Sequence, residues 1–141
     1  MHDWLHLAPV AVDLPDPLHT IVPYAPSILA ATDASKSGVG GFWLNVTGHS
    51  TTNCLWCQQF PAAIQERLIT LTNPTGTLTS SDLELAAIIT GAQLTASHYG
   101  GQHPNIAIAT DNTPAMAWVS KGSTTSTVAP AFLLHHLAQL R

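Results

Sequence analysis

Two apolar runs in the chain end in the same three residues. Ala31-Thr32-Asp33 follows Ser27-Ile28-Leu29-Ala30, and Ala109-Thr110-Asp111 follows Asn105-Ile106-Ala107-Ile108. Between them Ser81-Asp82-Leu83-Glu84-Leu85-Ala86 opens an amphipathic stretch and adds a third acid. Carboxylates gathered at one point repel one another and raise one another's pKa. A hard cation makes such a gathering useful, because Mg²⁺ takes oxygen ligands and keeps several waters, and Mn²⁺ suits the same donors. Two such ions roughly 4 Å apart can clamp the attacking and leaving oxygens of a phosphodiester. Asp33, Glu84 and Asp111 are therefore the candidate metal ligands, and metal-assisted phosphoryl chemistry is the candidate reaction.

Taken singly, each acid has an ordinary use. Asp33 stands before Ala34-Ser35-Lys36-Ser37-Gly38 and could serve a turn. Glu84 could be the partner in a capping box, and Asp111 could lead into a helix. Jointly these readings are weaker, because two of only eight acids end the two best central-strand candidates.

For the three to meet, particular elements must carry them. Both Ala-Thr-Asp runs are free of charge until their last residue, as in strands of a sheet covered on both faces. If the two are parallel neighbours, both aspartates reach the carboxyl edge of the sheet, where open α/β sheets bind ligands. Residues 27–60 predict three strands: one ending at Asp33, one over Phe42–Val46 introduced by Gly38-Val39-Gly40-Gly41, and one over about 52–58. Thr47-Gly48-His49-Ser50 reads as a turn, and short connections make an antiparallel meander. Pro61 to about Leu71 reads as a short helix or loop, followed by a turn at Asn73-Pro74-Thr75-Gly76.

Ser81-x-x-Glu84 fits a capping box. Leu85, Ile88, Ile89, Ala92 and Ala96 form a helical stripe that leaves Glu84 at its margin, and Gly100-Gly101 ends the helix. The second Ala-Thr-Asp strand then completes a strand–helix–strand crossover with parallel strands. Thr113 predicts an N-cap with Pro114 at N1, and Gly122 a stop. A last helix begins near Pro130. Upstream, Pro9, Pro15, Pro17, Pro23 and Pro26 oppose helix interiors and central strands. Residues 1–26 therefore read as an extended lead-in, with Trp4, Leu5 and Leu7 as contacts for a neighbouring domain or a patch laid on the sheet.

Composition narrows the class. The 141 residues are 45% hydrophobic and 9% charged, which suits one folded domain and opposes disorder. The net charge is −4, and Lys36, Arg67, Lys121 and Arg141 are the four basic residues. Such a chain has no basic patch for phosphate. Cys54 and Cys57 give no disulfide framework. No apolar run reaches the length of a membrane span, and the N-terminus lacks the pattern of a signal peptide. A soluble intracellular protein is the expectation, in cytoplasm or nucleus.

The motifs together carry a resemblance. Thr32-Asp33-Ala34-Ser35 with Gly38-x-Gly40-Gly41, then Asp82-Leu83-Glu84-Leu85-Ala86, then Asp111-Asn112-Thr113 with Trp118-x-x-Lys121-Gly122-Ser123, resemble the RNase H domain of retroelement reverse transcriptases from about residue 27 onward. The resemblance implies an α/β RNase H-like fold: a mixed sheet of three antiparallel strands plus a parallel fourth, flanked by helices. It implies an endonuclease that hydrolyses the RNA strand of an RNA–DNA hybrid with two Mg²⁺ (or Mn²⁺) ions. Asp33, Glu84 and Asp111 match the family's first three metal-ligating acids, and Ser35, Asn112, Lys121 and Ser123 become candidate substrate contacts.

The family's domain continues to a further strand and a fourth acidic position that this chain lacks, so the chain reads as an RNase H-like domain incomplete at its C-terminus. It would be one part of a retroelement polyprotein, with a reverse transcriptase region as partner and residues 1–26 as the tail of a preceding polymerase or connection region. Two rivals stand beside this reading. One is a catalytically inactive RNase H-like remnant acting as a structural or interaction module. The other is an actin- or sugar-kinase-type ATP site, which needs a second domain that 141 residues do not hold.

Other groups rank lower. Cys54-Leu55-Trp56-Cys57 on a strand would point its thiols to opposite sides, so buried core cysteines are expected instead of a zinc pair. His135 and His136 diverge on a helix, and His98 and His103 flank a glycine turn at the surface. Trp43, Trp56 and Trp118 are expected in the core. Gly38-x-Gly40-Gly41 serves a hairpin more readily than a phosphate cradle.

Overall fold

The computed structural model describes residues 25–46, 53–100, 105–124 and 128–138. The lead-in expected over 1–26 lies outside them except for its last two residues, as do the turn at 47–50, Gly101 and His103. The elements in chain order are β1 (Ile28–Ala34), β2 (Gly38–Asn45), β3 (Cys54–Gln59), α1 (Ala62–Gln65), α2 (Ser80–Tyr99), β4 (Ile106–Ala109), α3 (Thr113–Lys121) and α4 (Val128–Ala138).

The four strands form one sheet in the order β3-β2-β1-β4. β1–β2 and β2–β3 are antiparallel, as short connections require, and β1–β4 is parallel across the α2 crossover. The expected α/β arrangement of a three-strand meander with a parallel fourth strand, flanked by helices, is therefore present. The parallel register pairs Ile28 with Ile106 and Ala31 with Ala109. The two Ala-Thr-Asp runs thus lie side by side in step, which brings Asp33 and Asp111 to the same edge.

Strand alternation divides the sheet into two unlike faces. Ile28, Ala30, Thr32, Val39 and Trp43 are buried on one face. α2 crosses this face closely: a Cβ placed on Gly91 would lie 2.9 Å from Thr32 Cγ2 and 3.4 Å from Trp56 Cζ2. On the other face Leu29, Phe42 and Leu44 are exposed, and Leu55 is 85% exposed. Among the described residues no helix covers this second face, where strands covered on both faces were expected. The runs looked uniformly apolar because Leu29 and Ala31 keep the open face apolar too, and composition does not record which side a helix takes.

The core has two parts. Leu85, Ile88 and Ile89 of α2 pack with Ala115 of α3 and Leu134 of α4, and Trp118, Val119 and Leu137 lie against them. Ile28, Ala30 and Trp43 form the second part, with Cys54, Trp56 and Ile106 alongside. α2 is therefore held between the sheet and the C-terminal helices, so its buried surface is wider than a single stripe. Leu83, Glu84 and Ala87 are buried as well.

The start of α2 differs from the expectation by two residues. Thr79 is the N-cap, Thr79 Oγ1 accepts from the Asp82 N–H (3.3 Å), and Asp82 Oδ2 accepts from the Thr79 N–H (2.7 Å). Both Thr79-x-x-Asp82 and Ser81-x-x-Glu84 have capping-box form, and the chain uses the earlier one. This releases Glu84 from capping and places it inside, 6% exposed, where a marginal position was expected. α3 is likewise capped one residue early, by Asn112, with Thr113 and Pro114 in its first turn. It ends at Gly122, whose φ of 63° is the left-handed conformation expected of the stop.

The cysteines also depart from expectation. Cys54 is half-buried and Cys57 is exposed, because Cys57 shares the open face with Leu55 on the edge strand β3. Trp43 is buried, while Trp56 and Trp118 are half-buried. Among the described residues no helix is long and apolar enough to cross a membrane.

Candidate metal centre

Asp33, Glu84 and Asp111 come together where β1 and β4 end. One carboxylate oxygen from each lies within 4.8 Å of the others. Among the described residues they form the one group of three or more histidines, cysteines or acids placed to share a metal ion. Asp33 is the penultimate residue of β1, and Asp111 follows β4 by two residues. Glu84 reaches them from the first turns of α2, where the Thr79–Asp82 capping box fixes the helix entry. Asp82 also sets a negative charge at that positive helix end.

Glu84 is the buried member and the other two are exposed. Its Oε1 accepts from the Ala34 N–H (3.3 Å), which ties the side chain to the end of β1. Its Oε2 is buried with no hydrogen-bond partner. Burial raises the Glu84 pKa, and the charges of Asp33 and Asp111 raise it further. The Ala34 N–H acts in the opposite sense.

A buried carboxylate oxygen without a partner is costly to leave so. It is satisfied by a proton or by a cation. The donor set consists of hard oxygens, the chemistry Mg²⁺ and Mn²⁺ prefer. The residues therefore fit a divalent ion, with Glu84 as the inner ligand and Asp33 and Asp111 on the solvent side.

The other sequence candidates fall in different places. Ser35 closes the β1–β2 turn, its Oγ accepting from the N–H groups of Ser37 and Gly38 (3.2 Å each). Asn112 Oδ1 accepts from the Ala115 N–H (2.9 Å) as the cap of α3. Lys121 is the exposed last residue of α3 and Ser123 is exposed two residues on, so the length of the helix, about 13 Å, lies between them and Asp111 at its other end. The fold gathers the three acids and leaves these two apart from them.

Sequence reasoning passed over two features. One is the Ala34 amide, which holds Glu84 in place. The other is a groove of about 610 Å³ on the open face beside Asp33, whose lining includes Ser35, Gly40, Phe42, Leu55 and Cys57. The signal for it was the alternation itself: Asp33, Gly40 and Cys57 lie in one cross-strand row, and Ala31, Phe42 and Leu55 in the next. No protein-family model, no curated protein and no solved structure matches the chain.

Proposed function

We propose that the protein is a metal-dependent phosphodiester hydrolase of the RNase H kind, acting on the RNA strand of RNA–DNA hybrids. The proposal includes an RNase H-like reading of the fold, a retroelement origin, and two Mg²⁺ or Mn²⁺ ions. The observation that carries it is the meeting of Asp33, Glu84 and Asp111, with an unpartnered buried oxygen on Glu84. Support comes also from the in-step pairing of the two Ala-Thr-Asp strands.

The residues divide the work. Ala34 N–H and the α2 capping box fix Glu84, so its free oxygen is aimed before any ligand arrives. Asp33 and Asp111, both exposed, offer oxygens on the side open to substrate. A bound divalent ion supplies Lewis-acid polarisation of the phosphoryl group and a water of lowered pKa. Preorganised ligands of this kind need no rearrangement during the reaction. RNA would be distinguished from DNA by its 2′-OH.

The test is gel cleavage of an end-labelled RNA–DNA hybrid in Mg²⁺ and in Mn²⁺, with Asp111→Asn as control. Asp111-dependent cutting of the RNA strand is the expected outcome. A second reading, a catalytically inactive module of the same fold, is favoured by the four basic residues and net charge of −4, since cation release from the backbone drives most nucleic-acid affinity. Metal-raised melting without any cleavage would select it.

A further inference from the structure

Residues 60–79 run between β3 and α2 and hold one short helix, α1. Connections longer than about 12–15 residues are uncommon in compact domains and usually serve a function. This one is tightly tied. Asn73 Nδ2 donates to the carbonyls of Glu66 (2.8 Å) and Leu68 (3.0 Å), and the Ile69 N–H donates to the Leu78 carbonyl (2.8 Å). The connection lies against the β1–β2 turn, where the Phe60 N–H donates to the Ser37 carbonyl (2.8 Å). A pocket of about 430 Å³ opens between them, lined by Lys36 from the turn and by Gln65, Glu66, Thr70, Thr72 and Asn73 from the connection. Lys36 and Glu66 bring opposite charges to it, and among the described residues neither has an ion-pair partner. Thr70 Oγ1 and Thr72 Oγ1, 3.1 Å apart, add hydroxyls.

A ligand that suits this pocket carries an anion for the ammonium of Lys36 and a hydroxyl donor for the carboxylate of Glu66. The sugar–phosphate unit of an RNA strand carries both, on the outside of a duplex, where phosphate and 2′-OH are reached without unpairing a base. DNA carries only the first. The position suits it too. Lys36 is three residues from Asp33, so their Cα atoms are at most about 11 Å apart, within one or two nucleotides of a phosphate at the metal centre. We infer that the pocket holds a ribose of the RNA strand and its phosphate, the phosphate at Lys36 and the 2′-OH donating to Glu66. The inference rests on the metal-dependent reading above and adds a specificity-determining contact to it. The Glu66 carboxylate repels any phosphate backbone, and only a strand with 2′-OH groups offsets that repulsion.

The experiment measures binding of a short RNA–DNA hybrid by fluorescence anisotropy in Ca²⁺, with each ribose of the RNA strand replaced in turn by deoxyribose. At one position the replacement is expected to weaken wild-type binding on the order of fivefold. Glu66→Ala should remove that penalty and leave those at other positions, as coupled partners do. Lys36→Ala should weaken every hybrid alike and lower the salt slope by about one. Glu66→Met and Lys36→Met stand in for a variant that circular dichroism shows unfolded. A penalty pattern unchanged without Glu66, a salt slope unchanged without Lys36, or no hybrid binding at all would overturn the inference. Cleavage with Asp111→Asn as control, and melting with and without Ca²⁺, are read separately. Asp111-dependent cutting with no Glu66-dependent position overturns the pocket and leaves the metal centre standing. A Glu66-dependent position with neither cutting nor a metal shift in melting does the reverse.

Discussion

The two faces of the sheet use the same strands for opposite purposes. On the covered face Ile28, Ala30 and Trp43 are buried under α2, and Thr32, Gly41, Trp56 and Gly91 meet so closely that added carbon has no room. On the open face Leu29, Phe42, Leu44 and Leu55 remain exposed, and the glycine-bearing hairpin leaves a groove. The acid cluster sits at the seam, with Asp33 and Asp111 extending the open face and Glu84 coming from the helix that covers the other. One side therefore supplies rigidity and the other access. A metal ligand held by both is positioned from the core and still reachable from solvent, which is what a preorganised site requires.

The largest break in this comparison comes from emptying the covered side. Leu85 is fully buried between the sheet and the C-terminal helices. Leu85→Ala should cost about 2–5 kcal/mol, read as a lowered midpoint in urea at unchanged slope. Gly91→Val tests the same face from the other direction, since its side chain would strike Thr32 and Trp56. Overpacking there should cost about 1–3 kcal/mol. If either variant melts like the wild type, α2 does not cross the sheet as described.

Next in size is the metal effect at the seam. A ligand that binds only the folded state stabilises it by about 1.4 kcal/mol at ten times its Kd. Millimolar Mg²⁺ or Mn²⁺ should accordingly raise the melting temperature, and Asp33→Asn should remove most of that rise. Differential scanning fluorimetry with a metal series and EDTA decides it. A wild-type transition indifferent to both metals would remove the physical reason for gathering the acids.

How much of this was legible in the sequence follows the same division. The Ala-Thr-Asp echo pointed to two strands and two candidate ligands, because an apolar strand and its terminal acid are both local signals. The in-step register was consistent with that echo, although only the paired backbone fixes it. Glu84 was recognised as a ligand candidate for its type and place, yet its burial was missed. Two overlapping capping patterns, at Thr79 and Ser81, compete in this stretch, and α2 is covered by both the sheet and the C-terminal helices, so burial extends past its apolar stripe. Cys57 was misplaced for a related reason: alternation separates the thiols, but nothing local says which strand face is covered. Covering is a tertiary fact, decided by where α2 lies.

A smaller effect comes from the titration of Glu84 in the metal-free protein. Burial first, then the charges of Asp33 and Asp111, raise its pKa above the ordinary carboxylate value. Between that ordinary value and the raised one, the folded state holds a proton that the unfolded chain has released. Stability then falls as pH rises through this window. Glu84→Gln removes that part of the slope while its amide oxygen still accepts from the Ala34 N–H. In EDTA the variant should melt higher than the wild type at neutral pH, with the difference closing toward acid. A wild-type melting temperature that rises across the window more steeply than that of the variant would mean Glu84 is stabilised as a charge, contrary to the geometry.

The smallest stability effect is expected on the open face, and it is the sharpest test of the division between faces. Leu55 is 85% exposed on the edge strand β3, so truncating it removes little buried area. Threonine is β-branched and favours strands. Leu55→Thr should therefore change stability within about ±0.5 kcal/mol, against several for Leu85→Ala. A loss of more than about 1 kcal/mol would show that Leu55 is covered in the folded protein, and the open face would then have to be redrawn as part of the core.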